Sequence, residues 1–195
     1  MEPNYNNAAY VASYGTAAQL PKSTLPEIAF SGKSNVGKSS LMNTIFARKS
    51  LVKVSSKPGK TTTINFFSVG GVYFCDLPGY GYAKVAEGER KRWATMMEHY
   101  FTSGRDIRLC VQLLDMRHSP TADDRTMLGF LKETGIPYLI VLTKSDKLNK
   151  TERQNRLLKL KEELAFLGGY PQPIPFSALN REGLDEVKAA IAKSL

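Results

Sequence analysis

Residues 28–46 read Ile28-Ala-Phe30-Ser-Gly32-Lys33-Ser34-Asn35-Val36-Gly37-Lys38-Ser39-Ser-Leu41-Met-Asn-Thr-Ile45-Phe46, and the order of these residues decides the fold. The apolar run Ile28-Ala-Phe30 predicts a short buried strand, and Leu41, Ile45 and Phe46 recur at helical spacing. Between them stands G-x-x-x-x-G-K-S. A glycine-rich turn that leads from a strand into a helix N-terminus aims successive backbone N–H groups at a polyanion. In that setting Lys38 supplies a point charge at the β and γ phosphates of a nucleotide, and Ser39 offers its hydroxyl to Mg²⁺. The pattern names a nucleotide but not its base.

The base is read about a hundred residues later. Thr143-Lys144-Ser145-Asp146 follows the apolar run Tyr138-Leu-Ile-Val-Leu142 and resembles the [NT]KxD element of GTPases. A carboxylate only accepts hydrogen bonds, so Asp146 suits guanine, whose N1–H and 2-amino group lie on one edge, and disfavours adenine. Lys144 is expected to lay its aliphatic stem on the base. Phe176-Ser177-Ala178 resembles the loop whose backbone N–H meets guanine O6. Asp76-Leu77-Pro78-Gly79 is a DxxG element: Asp76 is expected to reach Mg²⁺ through water, and the Gly79 N–H to meet the γ-phosphate. Taken singly, TKSD reads equally as a solvated turn and DLPG as a plain Pro-Gly turn. Their succession after the phosphate loop, at the ends of strands, is what gives them meaning.

The 195 residues suit one domain with a real core, and 42% of them are hydrophobic. No basic, apolar leader and no span long enough to cross a bilayer is read, so a cytoplasmic protein without membrane insertion is expected, as a monomer. Cys75 and Cys110 lie inside apolar strand-like runs and read as buried, reduced thiols. Lys and Arg total 27 against 18 Asp and Glu, a net charge of +9. That excess favours a polyanionic partner besides the nucleotide, RNA first, although solvated lysines alone produce the same balance. Residues 1–24 read as a loosely held arm in which Tyr10–Tyr14 is able to add an edge strand, and residues 25–195 as the nucleotide-binding domain.

Within 25–195, strands and helices alternate. Residues 62–69 and 72–76 flank Gly70-Gly71, a hairpin signal, and strands near 107–114, 137–142 and 173–176 are separated by helix-length segments, hence parallel. The fold class is therefore α/β: a P-loop GTPase fold with a mostly parallel six-stranded sheet, one antiparallel edge strand, and helices on both faces. Thr151-Glu-Arg-Gln154 reads as a capping box. Leu157, Leu160, Leu164 and Leu167 form one apolar stripe, and Leu184, Val187 and Ile191 another.

The stretches GKSNVGKSSLMN, SSKPGKTTTINFF, DLPGYGYAKV, LDMRHSPTADD and TKSDK, in this order, resemble the EngB (YihA/YsxC) family of bacterial ribosome-assembly GTPases, within the TrmE-Era-EngA-EngB-septin-like class. The resemblance runs from Leu25 to the C-terminus. It implies Mg²⁺ ligands at Ser39 and Thr61. It implies nucleotide contacts at Gly32, Lys33, Ser34, Asn35, Val36, Gly37, Lys38 and Ser39; at Gly59, Lys60, Thr61, Thr62 and Thr63; at Asp76, Leu77, Pro78 and Gly79; at Thr143, Lys144, Ser145 and Asp146; and at Phe176, Ser177 and Ala178. From the residues alone, Thr62 and Thr63 compete with Thr61 for the metal. Thr143 replaces the commoner asparagine and keeps a hydroxyl without a carboxamide's reach. The resemblance also implies association with the large (50S) ribosomal subunit or its ribosomal RNA during assembly, and a link to cell division and septum formation.

Hydrolysis of GTP to GDP and phosphate is expected to rest on Lys38, Asp76 and Gly79. The position after DxxG, often Gln, holds Tyr80, a poorer group for orienting water, so slow turnover is expected. Asn35 suggests a K⁺ ion beside the phosphates, as in related GTPases; its alternative role is to hydrogen-bond its own loop. Asp115-Met-Arg117-His118-Ser-Pro120 is either a ribosome contact or a tie within a loop. Lys84, Glu87, Arg90, Lys91, Arg92 and Trp93 make either a nucleotide-dependent face or a charged helix with Trp93 and Met97 turned inward. The competing functions are a non-hydrolysing basic scaffold for ribosomal RNA or a division complex, opposed by intact Lys38, Ser39, Asp76 and Gly79, and an ATP-using kinase, opposed by Asp146.

Overall fold

The computed structural model describes residues 3–53, 63–81 and 87–195. Among them run seven strands, β1 (Ala9–Tyr14), β2 (Glu27–Gly32), β3 (Ile64–Val69), β4 (Val72–Asp76), β5 (Ile107–Asp115), β6 (Tyr138–Thr143) and β7 (Ile174–Pro175). Five α-helices accompany them: α1 (Lys38–Ile45), α2 (Glu87–Thr102), α3 (Ala122–Glu133), α4 (Lys150–Glu163) and α5 (Leu184–Ser194). The strands form one sheet in the order β1-β3-β4-β2-β5-β6-β7. β3 is antiparallel to both neighbours, and the remaining pairs are parallel. The arm does supply its edge strand, so the count rises from six to seven, and the one reversed strand, β3, lies next to the edge. Tyr10 and Tyr14 explain why the arm docks: each packs edge-on against a phenylalanine of β3, Phe67 and Phe66 respectively.

β2 is buried along its whole length, as expected for a central strand covered on both faces. Alternation along β2 and β5 divides the core. Ile28, Phe30, Val111 and Leu113 pack with Leu41, Met42 and Ile45 of α1 and with Leu184, Val187 and Ile191 of α5. On the opposite face, Ala29 and Cys110 pack with Met96, Met97 and Tyr100 of α2 and Leu131 of α3, while Leu160 of α4 and Leu164 just after it cover β6. Both leucine stripes are thus core, and Met97 points inward beside a half-buried Trp93. The chain leaves β2 through α1 on one face and reaches β5 through α2 on the other. That divergence opens a crevice at the carboxyl ends of the strands, the usual ligand position in open α/β sheets.

α4 begins earlier than expected. Its capping box is Asn149–Glu152: Asn149 Oδ1 accepts from the Glu152 N–H at 3.0 Å, and Glu152 Oε2 accepts from the Asn149 N–H at 2.8 Å. Asn caps at least as well as Thr, and a Glu in the first turn meets the positive end of the helix, which Gln154 does not. Cys75 and Cys110 are both buried free thiols, and burial pushes both well above the ordinary thiol range. Among the described residues no helix is long and apolar enough to cross a membrane.

Candidate functional site

The loop from Gly32 to Gly37 closes over the end of β2, and α1 starts at Lys38 after Gly37 takes a left-handed turn at φ 113°. That conformation favours glycine and swings the first N–H groups of α1, which have no acceptor within the helix, toward the crevice. The crevice encloses about 800 Å³ and is lined by Lys38, Ser39, Asp76 and Gly79, by Lys144 on one side and by Thr63 and Asn65 on the other. Within it the Lys38 ammonium contacts the Asp76 carboxylate. These groups come from the residues after β2 and at the end of β4, neighbouring parallel strands in which Phe30 sits opposite Asp76.

The DxxG segment lies directly on the phosphate loop. The Ser34 N–H donates to the Tyr80 carbonyl at 2.9 Å, and the Leu77 N–H donates to the Phe30 carbonyl at 3.0 Å. Gly79 is where the two backbones meet: a Cβ there would stand 2.9 Å from Ser34 Cα and 3.0 Å from Ser34 N. Tyr80 turns away from the crevice. Its ring is buried, its hydroxyl donates to Asp124 Oδ1 at 2.5 Å and accepts from Gln112 Nε2 at 2.6 Å, and burial beside Asp124 drives its ionisation far above the ordinary phenol range. The phenol is therefore a core strut that fixes the DxxG loop to β5 and α3.

Two residues beyond Lys144, which lines the crevice, Asp146 Oδ1 accepts from Ser177 Oγ at 2.7 Å, and the Lys147 ammonium stands 3.3 Å from Oδ2. The Ser177 hydroxyl, with help from Lys147, holds Asp146 below the usual carboxylate range, so it remains an acceptor at neutral pH. The loops that carry the pair are joined: Ser145 Oγ donates to Glu182 Oε2 at 2.7 Å, Arg153 Nη1 donates to Glu182 Oε1 at 2.6 Å, and the Ser145 N–H donates to the Phe176 carbonyl at 3.1 Å. Ala178 follows, exposed, after the buried Phe176 and Ser177.

Thr143 and Lys144 have roles that their sequence pattern conceals. The Thr143 hydroxyl donates to the Val36 carbonyl at 2.6 Å, tying β6 to the phosphate loop. The Lys144 ammonium donates to the Asn35 carbonyl at 3.0 Å and to Asp115 Oδ2 at 2.8 Å. Asn35 and Lys144 both occupy the left-handed region, φ 60° and 61°, so two strained residues meet across the crevice, a pattern common at functional sites. Asp115 also accepts from Nε and Nη2 of Arg117. Burial opposes its ionisation, yet the hydrogen bonds from Arg117 and Lys144 hold it well below the usual carboxylate range. Within the Asp115–Pro120 motif, Asp115 and Arg117 thus tie the loop and steady Lys144.

Of the remaining expected residues, Thr63 donates through its hydroxyl to Asn65 Oδ1 at 3.2 Å. Gly59, Lys60, Thr61, Thr62 and Lys84 lie outside the described residues. Sequence reading missed Asn43, which exchanges reciprocal hydrogen bonds of 2.8 and 2.9 Å with the Val52 backbone, and Asn65. Both are common polar residues whose partners are distant in sequence or backbone, and no local pattern marks them.

The chain matches the family model described as "50S ribosome-binding GTPase" over residues 27–144. It is 48% identical over 187 residues to the "Probable GTP-binding protein EngB" of Exiguobacterium sp. (strain ATCC BAA-1283 / AT1b), covering 95% of this chain and 94% of that protein. The chain belongs to the EngB family of GTP-binding proteins. A crystal structure of a probable GTP-binding protein EngB superposes with a TM-score of 0.71 at 24% identity, over 86% of this chain and 97% of that one. Era in complex with MgGDPNP and nucleotides 1506–1542 of 16S ribosomal RNA superposes with a TM-score of 0.68 at 25% identity, over 89% of this chain and 57% of Era.

For an EngB-family GTPase the donor set in the crevice suits Mg²⁺. It offers two hard oxygen donors, the Ser39 hydroxyl and the Asp76 carboxylate, both lining the crevice. Mg²⁺ is characteristically held this way, by few protein ligands with water and substrate phosphates. The contact at Gly79 leads to an expected result. Gly79→Ala should separate the DxxG segment from the phosphate loop and weaken binding of a non-hydrolysable GTP analogue by about tenfold, measured by displacement of a fluorescent guanine nucleotide.

Proposed function

We propose that this EngB-family chain binds GTP with Mg²⁺ in the crevice and hydrolyses it slowly, as a switch in assembly of the large ribosomal subunit. The observation that carries the reading is the pairing of Lys38 with Asp76 in the crevice, together with Lys144, which bonds to the phosphate-loop carbonyl of Asn35 and leads directly to the Asp146–Ser177 pair. Lys38 and the first N–H groups of α1 would hold the phosphates, Ser39 would ligate Mg²⁺ directly, and Asp76 would do so through water, leaving Lys38 for the γ-phosphate. Mg²⁺ when bound supplies compensation for charge developing on the phosphates. Thr61 is the proposed second protein ligand. Thr63 is disfavoured, because its hydroxyl is engaged by Asn65. Asp146 would accept from guanine N1–H and the 2-amino group, beside the Ala178 N–H at O6. In this reading residues 25–195 are the G domain and residues 1–24 its arm.

Slow turnover is supported by Tyr80, whose hydroxyl is committed to Asp124 and Gln112 and is not offered to water in the crevice. Ribosome association is supported by the description of the matching family model and by the net charge of +9; the division and septation link rests on the family resemblance. Cosedimentation with large ribosomal subunits is expected to be stronger with a GTP analogue than with GDP, and to weaken as salt rises. Equal binding in both states would favour the scaffold reading. Asn35 is exposed at the mouth of the loop, and turnover is expected to be faster in KCl than in NaCl at matched ionic strength, with the difference lost in Asn35→Ala. A rate indifferent to the cation would remove K⁺ from the site.

A further inference from the structure

The crevice has a wall that the motifs do not mention, built by the arm. Ser13 of β1, Asn65 of β3 and Asp76 of β4 occupy one row across the sheet, each the register partner of the next. They are joined by side-chain hydrogen bonds. Asn65 Nδ2 donates to Asp76 Oδ2 at 3.2 Å, and Asn65 Oδ1 accepts from Ser13 Oγ at 2.6 Å. The Ser13 hydroxyl is within 2.9 Å of the Tyr10 hydroxyl. The direction of every bond is determined. An ionised Asp76 only accepts, so the Asn65 amide nitrogen must face it and the amide oxygen must face Ser13; Ser13 then spends its proton on Asn65, and Tyr10 donates to Ser13. The far end of β1 is held as well, because the Gly15 carbonyl accepts from Arg92 Nη1 of α2 at 3.0 Å.

We propose that Asn65 is a positioning residue for Asp76 and that the arm strand β1, through Ser13, belongs to the Mg²⁺–nucleotide site. The inference rests on the function proposed above. When Lys38 leaves Asp76 for a phosphate, the Asn65 amide is the side-chain bond that keeps the carboxylate facing the crevice. An amide rotates freely about its last bond, and Ser13 at 2.6 Å, with Thr63 at 3.2 Å, removes that freedom by satisfying the oxygen. The arm is therefore part of the ion site, although residues 1–24 contain none of the nucleotide-binding motifs.

The test is release of a fluorescent (mant) GDP from the full chain, timed in MgCl₂ and in excess EDTA. The ratio of the two rates reports how much the ion holds the nucleotide, and a general loss of stability leaves it unmoved. Asn65→Ala is expected to reduce the ratio by about tenfold, the worth of a hydrogen bond to a charged group. Ser13→Ala, at an exposed position that folding tolerates, is expected to reduce it by about threefold, and Ser13→Thr, which keeps the hydroxyl, should restore it. A ratio unchanged in Asn65→Ala and Ser13→Ala while wild type responds to Mg²⁺ overturns this inference alone. A wild-type chain that retains no mant-GDP overturns the function beneath it.

Discussion

Asp146→Asn is expected to cost GTP on the order of 100-fold in affinity and to raise the affinity for xanthosine triphosphate by a comparable factor. Asp146 has Oδ1 engaged by the Ser177 hydroxyl and a lysine near Oδ2, and both oxygens retain lone pairs for the N1–H and 2-amino donors of guanine. An asparagine turns one acceptor into a donor. Its amide would face the 2-amino group of guanine as donor against donor, whereas xanthine presents a carbonyl at that place. Ser177 continues to hold the side chain through the retained oxygen, so the variant should fold normally. Competition of GTP, xanthosine triphosphate and ATP against a labelled guanine nucleotide measures the change. Unaltered preference would remove Asp146 from the base pocket.

Arg105→Ala is expected to destabilise the fold by about 3–5 kcal/mol, because it strips the partner from a carboxylate buried at the opposite end of the sheet. Glu27 is fully buried at the start of β2, and its two oxygens accept from Nε and Nη2 of Arg105, from the Tyr100 hydroxyl at 2.9 Å and from Ser23 Oγ at 2.9 Å. The guanidinium lies over the rings of Phe66 and Tyr100 and also donates to the Pro21 carbonyl at 2.7 Å, so it joins the arm's exit to the core. For a chain of this length the loss corresponds to a fall in melting temperature of roughly 10 °C. The double variant Glu27→Gln with Arg105→Met should recover much of it, since removing both charges leaves none unpaired. Thermal melts of wild type and the two variants decide the matter, and an Arg105→Ala variant as stable as wild type would show the pair to be dispensable.

The parts of the site that were legible are those in which a local backbone shape does the binding. Gly37 announces a left-handed entry to α1, and the strand before it and the helix after it follow from apolar spacing alone, so the phosphate loop is readable within twenty residues. Asp146 stands out because a carboxylate only accepts hydrogen bonds, the property that suits guanine in the proposed reading. The side chains that steady the loops were not legible. The sequence pattern directs Lys144 to the base and leaves the partner of the Thr143 hydroxyl open; both side chains bond to the phosphate loop, at the carbonyls of Asn35 and Val36 respectively. The place of Tyr80 after Gly79 suggests a group facing the phosphates, but burial against Gln112 and Asp124 sets its direction, and those partners stand on β5 and α3. Asn65 and Ser13 meet only because the arm docks on β3, where Tyr10 packs on Phe67 at one face of the sheet and Tyr14 on Phe66 at the other. Likewise the start of α4 shifted by two residues, because Asn149 with Glu152 offers two good capping bonds and Thr151 with Gln154 lacks the favourable charge.

The most direct measurement is calorimetric titration of the purified 195-residue chain with GDP and with ADP in Mg²⁺. Saturable one-to-one binding of GDP is expected, with ADP at least on the order of 100-fold weaker and the GDP signal lost in Lys38→Ala. Equal affinity for the two diphosphates, or GDP binding that survives Lys38→Ala unchanged, would contradict a guanine-nucleotide site in this crevice.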